Sequence, residues 1–506
     1  MSAHAELLHH LLDEAAAATP DAPAVSSGDH TLTYRELDAA SHRLAGWLQA
    51  QGLRRGDRLV VCAPGSVVQP ALVYAAARAG ITFSLLHEQV RGVQLDHVLD
   101  DCEPALLVTD DTDAREAARR RDVRAQTTEA LAAVAFADGP APEVAPPGTL
   151  AVDPVCLIYT SGTTSLPKAV VTTHQQLTFS VHAIQSVLGY RPSDVVYSPL
   201  PLSFDYGLYQ LFVSTLSGAH VVLGRPAEVG PALLNNLVRA GATVLAAVPS
   251  VAEALARLLG RARRPGPPPP LRLLTNTGAA MPAETLRTLR SALPGLHVQL
   301  MFGLTECKRA TIMPPDGDLE RPGSSGRALP GTEVFVVDEE GRRLAPGEIG
   351  EIVVRGPNVM AGYWRRPELT AQRFRRVEGL FPQLDTGDYG WVDEDGFLYF
   401  DGRRDDIYKE NGFRVSATEV EAAARRVPGV TAAAVLPPQR PAPALLFAVG
   451  GLSASEVLRG MREEIEEFKI PRHCLVLDAL PLTGNGKVDR KALAALTEEA
   501  VRVRTR

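Results

Sequence analysis

Residues 159–174, "YTSGTTSLPKAVVTTH", place hydroxyl side chains, one glycine and one lysine between two apolar runs. Backbone N–H groups and hydroxyls in such a turn can converge on an anion, and Lys168 adds a mobile positive charge. The Walker pattern is missing, so the composition fits either a phosphate cradle or a polar surface turn. In "MFGLTECKRA" (301–310), Phe302 can stack a base, Thr305 can contact a phosphate and Glu306 can hold a divalent cation. A glutamate capping the next element has the same appearance. In "DTGDYGWVDEDGFLYFDGRRDD" (385–406), Asp388 in a glycine-flanked turn can accept from both hydroxyls of a ribose, and a plain hairpin turn reads alike. "PLTGNGKVDRKAL" (481–493) offers Lys487 in a glycine-bearing loop that leads into a helix.

The elements that must position these residues are legible as alternation. The runs 58–63, 105–110, 155–160, 194–199, 219–224, 243–250 and 271–276 are short, apolar and rich in β-branched residues, as buried strands are. Ala- and Leu-rich stretches such as "QPALVYAAARAG" and "VAEALARLLGRAR" lie between them as helices. This is the pattern of an α/β protein with largely parallel sheets. After about residue 320 the strands are separated by Gly- and Pro-bearing turns, which predicts a small antiparallel barrel or sheet. From residue 402 a stretch of about a hundred residues with its own apolar runs predicts a small α+β domain.

The 506 residues carry a net charge of −7, with 45% apolar and 22% charged residues. That composition is ordinary for a globular protein and gives no argument for nucleic acid binding. Short basic clusters such as "REAARRRDVR" read as solvated helix faces. The five cysteines are scattered without a C-x-x-C pair, against a disulfide framework or a structural zinc site. The first twenty residues form an amphipathic helix and a turn, without the features of a signal peptide, and no apolar run is long enough to span a bilayer. A cytoplasmic, reduced protein with no membrane or nucleic acid partner is the expectation.

Taken in order, "YTSGTTSLPKAVV", "GLTE", "DTGD", "GRRDD…KENGFRVSATEVE" and "GKVDRKAL" resemble the adenylate-forming, AMP-forming ligases: acyl-CoA synthetases, amino-acid adenylation domains and luciferases. The resemblance covers nearly the whole chain. It implies a large N-terminal AMP-binding domain (1–401), made of α/β subdomains and a small β-barrel. It also implies a small mobile α+β C-terminal domain (402–506), with a hinge near Asp405. In such enzymes ATP and a carboxylate give acyl-AMP and pyrophosphate, and a thiol then takes the acyl group. The resemblance assigns Thr160, Ser161, Gly162, Thr163, Thr164 and Lys168 to the phosphate loop and Phe302 to the adenine. It assigns Thr305 to the α-phosphate, Glu306 to Mg2+, and Asp388 and Arg403 to the ribose. Lys487 serves adenylation and Lys409 the second half-reaction, with "KENGF" lining a pantetheine tunnel. Ser165 and Ala169 stand where the family pattern has glycines, which leaves open a member that only transfers acyl groups from ready-made acyl-AMP.

The acyl pocket is expected around "PLPLSFDYGLYQLF" (199–212). Many acyl- and aryl-CoA synthetases carry His where this chain has Phe204, and amino-acid adenylation domains carry an Asp where Asp205 stands. A substrate ammonium group is a natural partner for that carboxylate; an N-cap on a helix beginning at Tyr206 is the plain alternative. Tyr206, Tyr209, Thr275, Thr277, Gly278, Met301 and Arg309 complete the expected pocket. Arg309 either binds a second carboxylate or a polar substituent, or pairs with Asp205 or a surface acid. Cys307 reads as a small buried thiol. The leading expectation is a ligase that activates an amino acid or similar polar acid. It would load the phosphopantetheine thiol of a carrier protein acting in trans; CoA is the alternative acceptor.

Overall fold

The computed structural model describes residues 6–497, except 143, 161–165, 261–266, 279–280, 378–381, 404–406, 411–412, 439–441, 482–487 and 489–491. The chain is mixed α/β and divides into two compact units. One comprises Met1–Glu88, Cys102–Tyr159 and Ala169–Arg404; the other comprises Gln89–Asp101, Thr160–Lys168 and Asp405–Arg506.

Each of the seven apolar runs named above forms a strand, from Arg58–Cys62 to Leu273–Asn276. In the larger unit, the strands Pro23–Ser27, His220–Leu223, Val195–Ser198, Val244–Ala247, Leu273–Asn276 and His297–Phe302 lie side by side and parallel. Helices return the chain between consecutive parallel strands; Asp205–Ser217 lies between Val195–Ser198 and His220–Leu223 in sequence, and Pro249–Leu259 between Val244–Ala247 and Leu273–Asn276. A second sheet runs in the order Gly362–Tyr363, Lys168–Thr173, Pro154–Thr160, Thr82–Leu86, Arg58–Cys62, Leu106–Val108, Arg124–Gln126.

The antiparallel strands expected as a small barrel or sheet continue directly from the first sheet. His297–Phe302 pairs parallel with Leu273–Asn276 on one side and antiparallel with Thr311–Ile312 on the other. From there the path runs through Ser324–Ala328, Phe397–Arg403, Pro382–Val392, Gly350–Arg355 and Glu333–Val337. His297–Phe302 is therefore the seam between two kinds of sheet, and the loop that follows it receives groups from both.

The N-terminal helix Leu8–Ala18 turns Leu8, Leu11, Leu12 and Ala15 into the core, as its periodicity predicts. Helix Tyr34–Ala50 starts on a reciprocal cap between Thr33 and Glu36. In the smaller unit, Val430–Leu436, Leu445–Gly450 and His473–Leu477 form a sheet, and helix Ala417–Arg426 packs on it. Lys469 is buried there between Glu419 (2.8 Å) and Glu466 (3.0 Å). Among the described residues, no helix is long and apolar enough to cross a membrane.

Candidate active site

Ligand sites in parallel α/β sheets form beyond the carboxyl ends of the strands. Here that edge carries the loops after Leu273–Asn276 and His297–Phe302, which include Thr277, Gly278 and residues 303–310. Helix Asp205–Ser217 is buried from Asp205 to Thr215 and brings Asp205 to residues 308 and 309 of the second loop.

Asp205 is the first residue of that helix, and the N-cap is Phe204, which makes no side-chain cap bond. The reading of Asp205 as a cap on a helix beginning at Tyr206 is therefore corrected. Its carboxylate faces Lys308 (Nζ–Oδ1 2.9 Å) and Arg309 (Nη1–Oδ2 3.1 Å) instead. All three are buried, with 5%, 0% and 3% of their surfaces exposed. Among the described residues, Asp205 is the only carboxylate paired with either cation. One positive charge is thus in excess inside the protein, where an unmatched charge is costly.

Aromatic faces share the load. The Arg309 guanidinium lies 4.7 Å from the centre of the Tyr206 ring and Lys308 Nζ lies 5.5 Å from that of Tyr209. Tyr206 donates to the carbonyl of Thr275 at 2.7 Å, which ties the helix to the strand edge. Burial, and then the Asp205 carboxylate, hold the Tyr209 phenol well above its usual value. Met301 and Thr275 lie on adjacent strands, where Thr275 pairs with Gln299 and Asn276 with Leu300. Phe204 meets Tyr206 edge to face at 6.5 Å. Arg309 thus takes the Asp205 partnership, one of its expected alternatives. Lys308 was missed; a lysine following a buried Cys307 in "TECKR" was the available signal.

Glu306, expected from the resemblance to hold Mg2+, sits in a turn and is buried, so it caps no following helix. Its Oε1 accepts from the Tyr363 hydroxyl at 2.8 Å, and its backbone carbonyl from Met360 N at 2.9 Å. Tyr363 pairs with Val170, in the strand that begins at Lys168. Thr305 is half-buried in the same turn. Phe302 is buried at the end of its strand with its ring 5.8 Å from Phe400. Asp388 lies within strand Pro382–Val392 rather than in a turn, and forms a rung with Arg403, three residues beyond Phe400. Gly387, at φ 71°, bends the strand beside it. The hairpin turn expected at "DEDG" is present, closed by Gly396 N to Asp393 O.

Thr160 ends its strand with Oγ1 3.5 Å from the Lys168 carbonyl. Ala169 is buried and its carbonyl accepts from Trp364 N at 2.9 Å. Ser161, Gly162, Thr163, Thr164, Ser165, Asp405 and Lys487 lie outside the described residues, as do the side chains of Arg403 and Lys409. The backbone of Lys409 is in strand Ile407–Glu410, paired with Arg414. Cys307 is fully buried, and burial pushes its thiol up to about 12, so it is no nucleophile.

The family model for the AMP-binding enzyme matches residues 12–364, and the model for the AMP-binding enzyme C-terminal domain matches 419–487. The chain belongs to the AMP-binding enzyme family. It is an AMP-forming acid–thiol ligase. It is similar to a feruloyl-CoA synthase of Amycolatopsis sp, with 32% identity over 93% of this chain and 95% of that one. An o-succinylbenzoate CoA synthetase of Bacillus subtilis shares the structure with a TM-score of 0.83 and 28% identity, over 95% and 97% of the two chains. VinN, in complex with L-aspartate, aligns with a TM-score of 0.71 and 41% identity, over 78% of this AMP-binding enzyme and 98% of VinN.

Proposed function

We propose that this AMP-binding enzyme adenylates an amino acid carrying a second carboxylate, of the aspartate type, and passes the acyl group to a phosphopantetheine thiol on a carrier protein. The observation that carries the reading is the buried trio of Asp205, Lys308 and Arg309, with one cation in excess. A substrate ammonium group takes the Asp205 carboxylate, and the substrate's spare carboxylate takes the two cations that Asp205 releases. The ammonium group and the spare carboxylate cancel, and the carboxylate to be activated brings the one negative charge that balances the trio before it reacts, which gives the substrate affinity as well as orientation. VinN, solved with L-aspartate and with 3-methylaspartate, supports this class of acid.

The carboxylate to be activated attacks the α-phosphorus of ATP and expels pyrophosphate. Thr160 to Thr164 with Lys168 hold the phosphates, Phe302 packs on adenine, and Asp388 with Arg403 binds the ribose. Thr305 and Lys487 stabilise the charge that builds on the α-phosphate. Glu306 is one buried hard oxygen donor, which fits a magnesium ion that takes its other ligands from phosphate and water; the bound ion would neutralise phosphate charge. Rotation about the hinge near Asp405 then exchanges Lys487 for Lys409 and opens the thiol path.

ATP–pyrophosphate exchange over a panel of L-aspartate, L-glutamate, L-alanine, ferulate and a fatty acid tests the reading. Exchange confined to the dicarboxylic amino acids is the expected result; exchange only with acids lacking an amine overturns it. The second reading, CoA as acceptor, is favoured by the full-length likeness to feruloyl-CoA synthase. Mass spectrometry of products with CoA and with a holo carrier protein separates the two. Thioester formation from synthetic acyl-AMP without exchange for any acid would mark a transfer-only enzyme.

A further inference from the structure

Lys308 and Arg309 are consecutive, and consecutive side chains in extended backbone point to opposite faces. Here both reach one carboxylate. The reason is local: Lys308 adopts φ 61°, in the left-handed region that side chains other than Gly, Asn and Asp avoid. A buried lysine keeps that conformation only where its surroundings over-determine it.

The four carbonyls of the turn account for the restraint. Glu306 O accepts from Met360 N at 2.9 Å. Cys307 O and Arg309 O accept from the same side-chain nitrogen, Asn358 Nδ2, at 3.2 and 3.1 Å. Lys308 O accepts from Arg309 Nη1 at 3.1 Å, the atom that also reaches Asp205. Asn358 is completely buried. Its amide therefore bridges the carbonyls on either side of the left-handed residue, a geometry that neither a hydrophobic side chain nor a carboxylate reproduces.

We propose that Asn358 is a specificity-positioning residue: by gripping the Cys307 and Arg309 carbonyls it holds Lys308 left-handed, so that two neighbouring cations converge on Asp205. It touches no substrate and acts through the pair it orients. The assignment rests on the reading of Asp205, Lys308 and Arg309 as the clamp for a dicarboxylic amino acid.

The test is a double-mutant cycle of Asn358→Asp, which keeps the shape and removes the donors, with Lys308→Gly, which makes φ 61° free of strain. With L-aspartate as the probe, Asn358→Asp is expected to raise its KM about tenfold or more while the KM for ATP stays within about twofold. In the Lys308→Gly background the same change adds less than about twofold, because glycine needs no restraint. Equal effects of Asn358→Asp in both backgrounds, or a parallel rise in the KM for ATP, overturn the proposal. Should Asn358→Asp alone fail to fold, Lys308→Gly restores folding if the proposal holds, and does not if Asn358 merely fills the core. Absence of exchange with L-aspartate in the unaltered enzyme defeats the substrate reading by itself. The coupling is then read from the melting temperatures of the same four proteins, and additive shifts defeat the Asn358 assignment.

Discussion

The hydroxyl of Tyr363 donates to Glu306 Oε1 at 2.8 Å, across 57 residues of chain. It fixes the rotamer of the buried acid to which the proposed function gives the magnesium ion. Tyr363→Phe removes that donor and little volume. Pyrophosphate exchange is expected to fall roughly tenfold, with a raised magnesium requirement and a nearly unchanged melting temperature. A magnesium titration of the exchange rate checks this, and an unaltered midpoint would argue against Glu306 as the cation's holder.

In the proposed function Asp205 governs the other half of the site. Asp205→Asn leaves Lys308 and Arg309 buried without their carboxylate, and breaking such a pair costs about 3–5 kcal/mol of stability. Exchange with amino acids is expected to drop by about a hundredfold or more in kcat/KM. Arg309→Met is milder for folding, because Asp205 keeps Lys308 at 2.9 Å. Its signature is selective: kcat/KM for L-aspartate falls at least about tenfold relative to that for L-alanine. Equal losses for both acids would remove Arg309 from substrate selection.

Gly303 is where the turn meets itself. A Cβ there would lie 2.0 Å from the Lys308 carbonyl oxygen and 3.0 Å from Arg309 Cα, both backbone atoms that cannot swing aside. Gly303→Ala is expected to cost about 3 kcal/mol and to displace both cations, so exchange is lost along with stability. Urea unfolding and the exchange assay on the same preparation measure the two effects together.

His174 supplies a pH signature. It is buried and its Nδ1 accepts from Leu8 N at 3.0 Å; burial lowers its pKa from 6.5 to about 4. Above about pH 6.5 the ring is neutral in folded and unfolded chains, and its contribution to stability is fully present. As pH falls from 6.5 towards 4 the unfolded chain binds the proton first, and up to about 3 kcal/mol is lost. His9, lowered by burial and by Arg78 to about 2, steepens the same trend. His174→Asn should therefore flatten the slope of unfolding free energy between pH 4 and 6.5, measured by urea titration at several pH values. An unchanged slope would mean that His174 does not carry it.

Much of the frame was legible because it rests on local rules. Each buried strand is a short apolar run, so the seven runs from 58–63 to 271–276 became strands with shifts of at most three residues at their ends. Helix Leu8–Ala18 follows from leucine spacing alone. Two local readings failed for one reason. Asp205 resembles a cap and Asp388 a turn residue when only neighbours in sequence are weighed. In the fold Asp205 answers to cations 103 and 104 residues away, and Asp388 lies within a strand, in register with Arg403.

The sequence by itself determined the order and spacing of the motifs that resemble the family, because tight glycine-bearing turns are backbone requirements written in contiguous residues. It also placed an aspartate at position 205, in the segment expected to line the acyl pocket. Only the tertiary structure decided what that aspartate faces. The convergence of Lys308 and Arg309 depends on a left-handed residue, a glycine with no room for a Cβ and an asparagine about fifty residues downstream. None of these is a pattern within one segment. The charge of the buried trio is a property of segments brought together, and it exists only once the strands have packed.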